Sequence, residues 1–447
     1  MKITLKRLTV LALMLALASC APKNGELTKA QMREDVAYFF TSFLNTHPNP
    51  YCRATPKQVD SIKTALLQKI DKGLPKEEFL NDLGKLNGLL DGHSYIKSPL
   101  TDHTDKDTIL LPTSVRVNTD LTLSLNDDRL PETNTITSIN GIPSRKLITL
   151  LNGMLHADPG VVRKPDIECR FPILLIRAGI RAPYTINVKT RAGDTTLHLK
   201  GAAQVAYSKT IRFLRVNSNE SELDSGIFHR SKIAILYFNT CQPKDKEEFM
   251  RKIDSFFTTI QKQGIKCLFI DNSRNNGGSS SWGEYLISKI NHGEYHYTHT
   301  AKIKESEALK RVKRSRTDNG LAATFNKTFP AVTSGYSGKV YMLLSSCCGS
   351  SGSDAAWQFR FAKVGKIIGD KSGSGNPMYV YPAVFTLPNS KVQFGISVRE
   401  AGYTTDKGKK MTYLKEPEPD VPFNINPFKT SYSEQELLAL LRLADKR

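Results

Sequence analysis

A serine in a run of small residues, an upstream histidine and two glycine-rich turns are the groups in this chain that could break a covalent bond. The densest stretch is Leu344-Ser345-Ser346-Cys347-Cys348-Gly349-Ser350-Ser351-Gly352-Ser353-Asp354. The run Lys339 to Leu344 before it predicts a strand, and Ala355, Ala356, Phe359 and Ala362 after it predict a helix. Small residues between the two let the backbone turn sharply and approach a ligand. Ser351 would then open a helix, where free N–H groups and the dipole favour negative charge. That is the setting an oxyanion needs. The same residues also read as a plain capping box, with Ser351 as N-cap and Asp354 three residues on.

A serine nucleophile needs a base. All nine histidines precede Ser351, which excludes the order Ser, Asp, His, and Ser353 excludes a full G-x-S-x-G elbow. The base is therefore an upstream histidine or a lysine. His292, His296 and His299 suggest a metal, but an exposed strand explains them better, with no carboxylate at ligand spacing. His93 follows Asp91-Gly92 at the exit of a helical pattern, where a loop can present it. A surface histidine fits that position equally well.

The elements that must hold these groups follow from periodicity. Val36, Phe39, Phe40, Phe43 and Leu44 recur at helical spacing, and His47-Pro48-Asn49-Pro50 ends that helix. Pro56 opens a second helix, and Phe79, Leu80, Leu83, Leu86 and Leu90 face a third. Residues 107–203 alternate as strands do, with a turn at Asn140-Gly141 and a hairpin from Ile186 to Leu199. From Lys232 onward buried strands alternate with helices. Cys267-Leu268-Phe269-Ile270-Asp271 runs into Asn272-Ser273-Arg274-Asn275-Asn276-Gly277-Gly278, and a helix follows from Ser281. This alternation predicts α/β structure with a largely parallel sheet. Ligands then sit at the C-terminal ends of the strands, where both glycine-rich turns emerge.

Three pieces in order resemble serine peptidases of the tail-specific, C-terminal-processing class, the S41 type. Leu90-Asp91-Gly92-His93-Ser94 is similar to the Asp-Gly-His-Thr/Ser motif of its tricorn-like branch. Ile270-Asp271 through Gly277-Gly278 resembles the "D-L-R-x-N-x-G-G" strand and turn, and Ser350 to Asp354 resembles "x-S-A/G-x-E". Ile139-Asn140-Gly141 resembles the "I-N-G" of the family's PDZ-like domain. The resemblance implies a crotonase/ClpP-like α/β core over 228–447, a helical region over 28–106 and a small PDZ-like β-rich domain over 107–203. It implies Ser351 as nucleophile, His93 as base, and the N–H groups of Gly352 and Gly277 as oxyanion hole. It implies hydrolysis of a peptide or protein substrate through an acyl-enzyme, without metal or cofactor. The chain departs from the pattern in three places. Asn376 stands where the Ser–Lys branch has its lysine, although Lys371 is near; Ser273 replaces a common arginine; and the carboxylate that orients the histidine has two candidates, Glu416 and Glu418.

Composition limits the setting. The 447 residues carry a net charge of +20, with a dense basic run from Lys302 to Arg316. Lys2, Lys6 and Arg7 precede an apolar segment, Leu8 to Ala18, that ends in Leu17-Ala18-Ser19-Cys20. This segment is shorter than the ~20 residues a membrane span needs and fits an export signal. Its end resembles a bacterial lipobox, which implies a signal peptide over 1–20, lipidation of Cys20 and a tether over 21–27. Nucleic acid is a poor partner for such a chain; a solvated surface or one facing anionic lipid suits the basic run. The expected place is the cell envelope, lipid-anchored at the outer membrane or cell surface. A non-catalytic relative binding a peptide or apolar ligand is the main rival, and an acyl-CoA enzyme of the crotonase type is a weaker one.

Overall fold

The computed structural model describes residues 26–97, 108–126, 130–131, 133–203, 221–315, 325–405, 412–426 and 429–446. Cys20, the signal segment and Arg316 lie outside the described residues.

Ile233–Phe238 and Cys267–Asp271 are buried at every position, and Lys339–Leu344 at all but its first. Strands that are apolar on both faces belong inside a covered parallel sheet. They form the middle of a six-stranded sheet in the order 223–228, 233–238, 267–271, 339–344, 366–369 and 421–422. The first pair is antiparallel and the rest are parallel. Alternate residues serve opposite faces. Ala234, Leu236, Leu268, Ile270, Met342 and Leu344 pack under the helices Lys246–Lys262, Ser281–Ile287 and Ser351–Ala362. Ile233, Ile235, Phe269, Tyr341 and Leu343 pack against the closing helix Glu434–Asp445.

A second, antiparallel sheet lies beside the first. Its long strand Gln393–Thr404 pairs with Met378–Thr386, with Tyr295–Ile303 and with the short strand Tyr95–Ile96. The N-terminal helices Lys29–Thr46 and Pro56–Asp71 begin with capping boxes at Thr28 and Thr55. Their apolar faces do not close on themselves. Phe39, Phe40 and Phe43 share one core with Phe385, Phe394, Ile396 and Val398 of the second sheet. The short strand that follows His93 is therefore anchored in the body of the molecule.

Residues 114–199 form a third sheet, all antiparallel, covered by the helices Ser144–Asn152 and Lys164–Arg177. Asn140 and Gly141 take φ of 47° and 76°. Positive φ at both positions is what a two-residue hairpin turn requires. A partly buried ion pair between Lys164 and Asp370 ties this unit to the end of a core strand.

One sequence expectation about the strands needs correction. Tyr295–Ile303 is no exposed strand: it pairs on both sides, with Phe325–Phe329 and Gln393–Thr404. His299 consequently stacks on Phe325 at 5.0 Å between ring centres. Burial, then the charges of Arg399 and Lys327, pushes its pKa down to about 4. Part of the basic run forms ion pairs while Lys302 and Lys310 stay exposed, as a solvated surface allows. Lys302 pairs with Glu400, Lys310 with Glu307, and Lys304 donates to the carbonyl of Leu44. Six cysteines, Cys52, Cys169, Cys241, Cys267, Cys347 and Cys348, are free thiols. Among the described residues no helix is long and apolar enough to cross a membrane.

Candidate active site

Both glycine-rich turns emerge at the C-terminal edge of the core sheet, and they are in contact. A Cβ on Gly277 would lie 2.6 Å from Ser350 Cβ and 2.8 Å from Ser351 N; one on Gly352 would lie 2.2 Å from the Asn275 carbonyl. Glycine at these positions is what lets the turns meet. Asn275 O accepts from Gly349 N (2.9 Å), and Ser345 Oγ donates to Ser273 O (2.6 Å), so the two turns are also hydrogen-bonded. Ser350, just before the nucleophile candidate, takes φ 51° and ψ −129°. A serine held there is backbone strain of the kind that collects at functional sites. Ser351 is the first residue of a helix whose first nine residues are buried. The expected capping box is absent: Ser350 is the N-cap, and its side chain makes no cap bond. The positive φ of Ser350 draws Ser351 inside the helix. Asp354 is buried beside Tyr403, and burial pushes its pKa up to about 7.

Ser351 is buried, and its Oγ donates to the carbonyl of Gly278 at 2.9 Å rather than to His93. The two predicted oxyanion donors are also engaged. Gly277 N–H donates to Asn275 Oδ1 and Gly352 N–H to Gly349 O, each at 2.9 Å.

His93 lies in a loop between a 3-10 turn, Leu86–Leu89, and Tyr95–Ile96. Asn87 closes the loop: its side chain accepts from Ile96 N and donates to Ile96 O. Asp91 stiffens it from inside. Oδ1 accepts from the N–H groups of His93 (2.8 Å) and Ser94 (3.0 Å) and from Ser397 Oγ (3.0 Å). Oδ2 meets His47 Nε2 at 3.0 Å. Asn49 N donates to His47 Nδ1, so the proton sits on Nε2 and points at Asp91. Burial works against ionising Asp91, yet these donors hold it well below the usual carboxylate range. From outside, the 155–158 segment grips the loop. Arg53 bridges the carbonyls of Leu90 and Leu155, Ala157 N donates to Leu90 O, and Asp158 accepts from Gly92 N. His93 Nδ1 is buried without a hydrogen-bond partner.

The remaining candidates separate clearly. Glu416 turns inward, with Oε1 buried and unpartnered. Burial, then the nearby charge of Asp158, pushes its pKa up to about 8. Glu418 is exposed and pairs with Lys371 at 2.6 Å. Lys371 is itself half-exposed. Asn376 is a clasp, bonded to Tyr403 N, Tyr403 O and Leu414 O.

Asp91, His93 and Asp158 bring ligand atoms within 4.8 Å of one another. Every carboxylate oxygen of the set already accepts a hydrogen bond, those of Asp158 from Gly92 N and Gly375 N. The set therefore supports the His93 loop, and a cation would have to displace those bonds. Asp158, Arg53 and Ser374 carried no signal in the sequence, and His47 only that of a helix stop.

Residues 232–423 match the model of peptidase family S41. Over those residues the chain is therefore similar to S41-type serine peptidases, and the match spans both glycine-rich turns and Glu416. The fold extends further. The crystal structure of mature CPAF superposes with a TM-score of 0.56 at 14% identity, covering 94% of this chain and 98% of that one. CPAF complexed with lactacystin gives 0.54 at 14% identity, covering 94% and 99%. A CPAF mutant gives 0.56 at 12% identity, covering 88% and 93%. No curated protein matches.

Proposed function

We propose that this chain is an exported, lipid-anchored serine endopeptidase that cleaves peptide bonds through an acyl-enzyme. Ser351 attacks the carbonyl, and His93 takes its proton and returns it to the leaving amine. Of the two acidic candidates for orienting the imidazolium, Glu416 is favoured because it is turned inward and unpartnered; Glu418 is too exposed for that task. The observation that carries this reading is the shared support of the two reacting groups. Asp158 holds Gly92, next to His93, and also Gly375; Ser374 beside it accepts from Ser350 N (2.7 Å), next to Ser351. Base loop and nucleophile turn are thus joined through one carboxylate.

The oxyanion hole forms from Gly277 and Gly352 once their resting bonds open, the first by rotation of the Asn275 side chain. Export and anchoring rest on the Leu17-Ala18-Ser19-Cys20 pattern. A histidine, with an ordinary pKa of about 6.5, accepts a proton at neutral pH without burial, whereas an exposed lysine does not.

A fluorophosphonate probe tests the reading directly. It should label the protein at Ser351, and Ser351→Ala and His93→Ala should both abolish labelling, because nucleophile and base act as a unit. Lys371→Ala should label at nearly the normal rate. Labelling that survives in His93→Ala but not in Lys371→Ala would transfer the role of base to the lysine.

A further inference from the structure

We infer that Asp158 is a positioning residue that sets the geometry and charge of the Ser351–His93 pair from the third sheet's unit. The inference rests on the catalytic reading of those two residues. Asp158 is 1% exposed, yet it is neither on the core sheet nor in the base loop. It ends the 155–158 segment that follows the helix Ser144–Asn152.

The site is built around this carboxylate. Oδ1 accepts from Gly92 N and Oδ2 from Gly375 N, each at 3.0 Å. Both donors are glycines, and both must be. A Cβ on Gly92 would lie 2.9 Å from Asp158 Oδ2, and one on Gly375 would lie 2.8 Å from Asp158 Cβ. Each bond ends one step from the chemistry. Gly92 precedes His93. Gly375 follows Ser374, whose Oγ fixes Ser350 N, and Gly373 N–H donates to Cys348 O (2.6 Å) in the same turn. The neighbouring backbone strengthens the grip, since His156 Nδ1 contacts Gly92 O at 3.1 Å and Ala157 N donates to Leu90 O at 3.1 Å.

A buried carboxylate with both oxygens bonded keeps its place. Its charge also acts on the imidazole, because ligand atoms of Asp158 and His93 lie within 4.8 Å. Burial raises the pKa of Asp158 and the charge of His93 lowers it, so the carboxylate anion and the protonated ring that forms during attack favour each other. The other ionisable groups that bear on Asp158 are Asp91, Glu416, Arg53 and Cys52.

The test is the rate of fluorophosphonate labelling at Ser351 between pH 5 and 9, with full-length protein. Asp158→Asn keeps the shape but removes the charge and sets an N–H₂ against one glycine N–H. It should label about a hundredfold more slowly, the usual effect of a misplacement near 1 Å. The acid limb of its pH profile should move to lower pH, because the charge that favoured imidazolium is gone. Gly375→Ala displaces the carboxylate but keeps its charge, and should be slowed with the acid limb unmoved. A folded Asp158→Asn that labels at the wild-type rate overturns the inference, as does one slowed with an unchanged acid limb, which a purely structural residue would give. If Asp158→Asn does not fold, Gly375→Ala decides, and a wild-type rate there overturns it. Absence of labelling in the wild type instead refutes the catalytic reading itself.

Discussion

Replacing Gly277 by alanine should disable the site while leaving the fold intact. The new Cβ would meet Ser350 Cβ at 2.6 Å, Ser351 N at 2.8 Å and Gly349 O at 3.0 Å. Two of these atoms belong to the backbone, so no side-chain rotation relieves the contact. Restoring an ordinary separation moves one turn against the other by about 1 Å. A shift of that size at a reacting atom lowers rates by about a hundredfold. The backbone adds its own penalty, because Gly277 sits at φ +101° and a side chain there costs about 1–3 kcal/mol. Labelling of Ser351 should therefore slow about a hundredfold, with a lower melting temperature and an unchanged circular dichroism spectrum. Gly264→Ala is the control: its φ is +62°, but nothing lies within 4 Å of the new Cβ. It should lose stability and label normally. If folded Gly277→Ala labels as fast as Gly264→Ala, the contact between the turns does not position the nucleophile.

Glu416 binds its proton more tightly folded than unfolded, since its pKa rises from 4.5 to about 8. The native state then holds the extra proton, so stability should fall as pH rises through that window, and Glu416→Gln should flatten the fall in a urea-melt series. His47→Ala leaves the buried Asp91 carboxylate short of a donor and should destabilise the protein by about 3 kcal/mol in chemical denaturation. Cys20→Ser should abolish incorporation of labelled fatty acid and release the protein from membranes; a wild type that takes up no label would disprove the anchor.

Legibility followed sequence distance. The core strands could be read because Ile233–Phe238 and Cys267–Asp271 are apolar at successive positions, a pattern only a doubly covered strand needs. The two glycine-rich turns could be read because each is local: strand, small residues, helix. What escaped depends on contacts between distant segments. Gly92 and Asp158 are 66 positions apart, and Ser94 and Ser397 303 apart. No local pattern marks such pairs. The N-terminal helices were legible as amphipathic, but not the surface they cover, because Phe394 and Ile396 belong to a strand near the other end of the chain. The capping box failed for a conformational reason: Ser350 adopts a positive φ that its residue type gives no reason to expect.

Under the proposed mechanism, the resting bonds at the site suit a hole that works only when charge develops. Gly277 and Gly352 each donate to a neutral oxygen, Asn275 Oδ1 and Gly349 O, and Ser351 donates to the Gly278 carbonyl. A substrate carbonyl that enters must exchange with such acceptors. Neutral hydrogen bonds contribute about 1 kcal/mol net, so exchanging one for another changes ground-state binding little. Once the substrate oxygen becomes an oxyanion, the same donors interact about twice as strongly. Bonds that gain strength only in the transition state raise the rate without tightening substrate binding. In this arrangement the strained Ser350 and the bonds to Asp158 hold the frame, and the weaker neutral bonds are the ones exchanged during turnover.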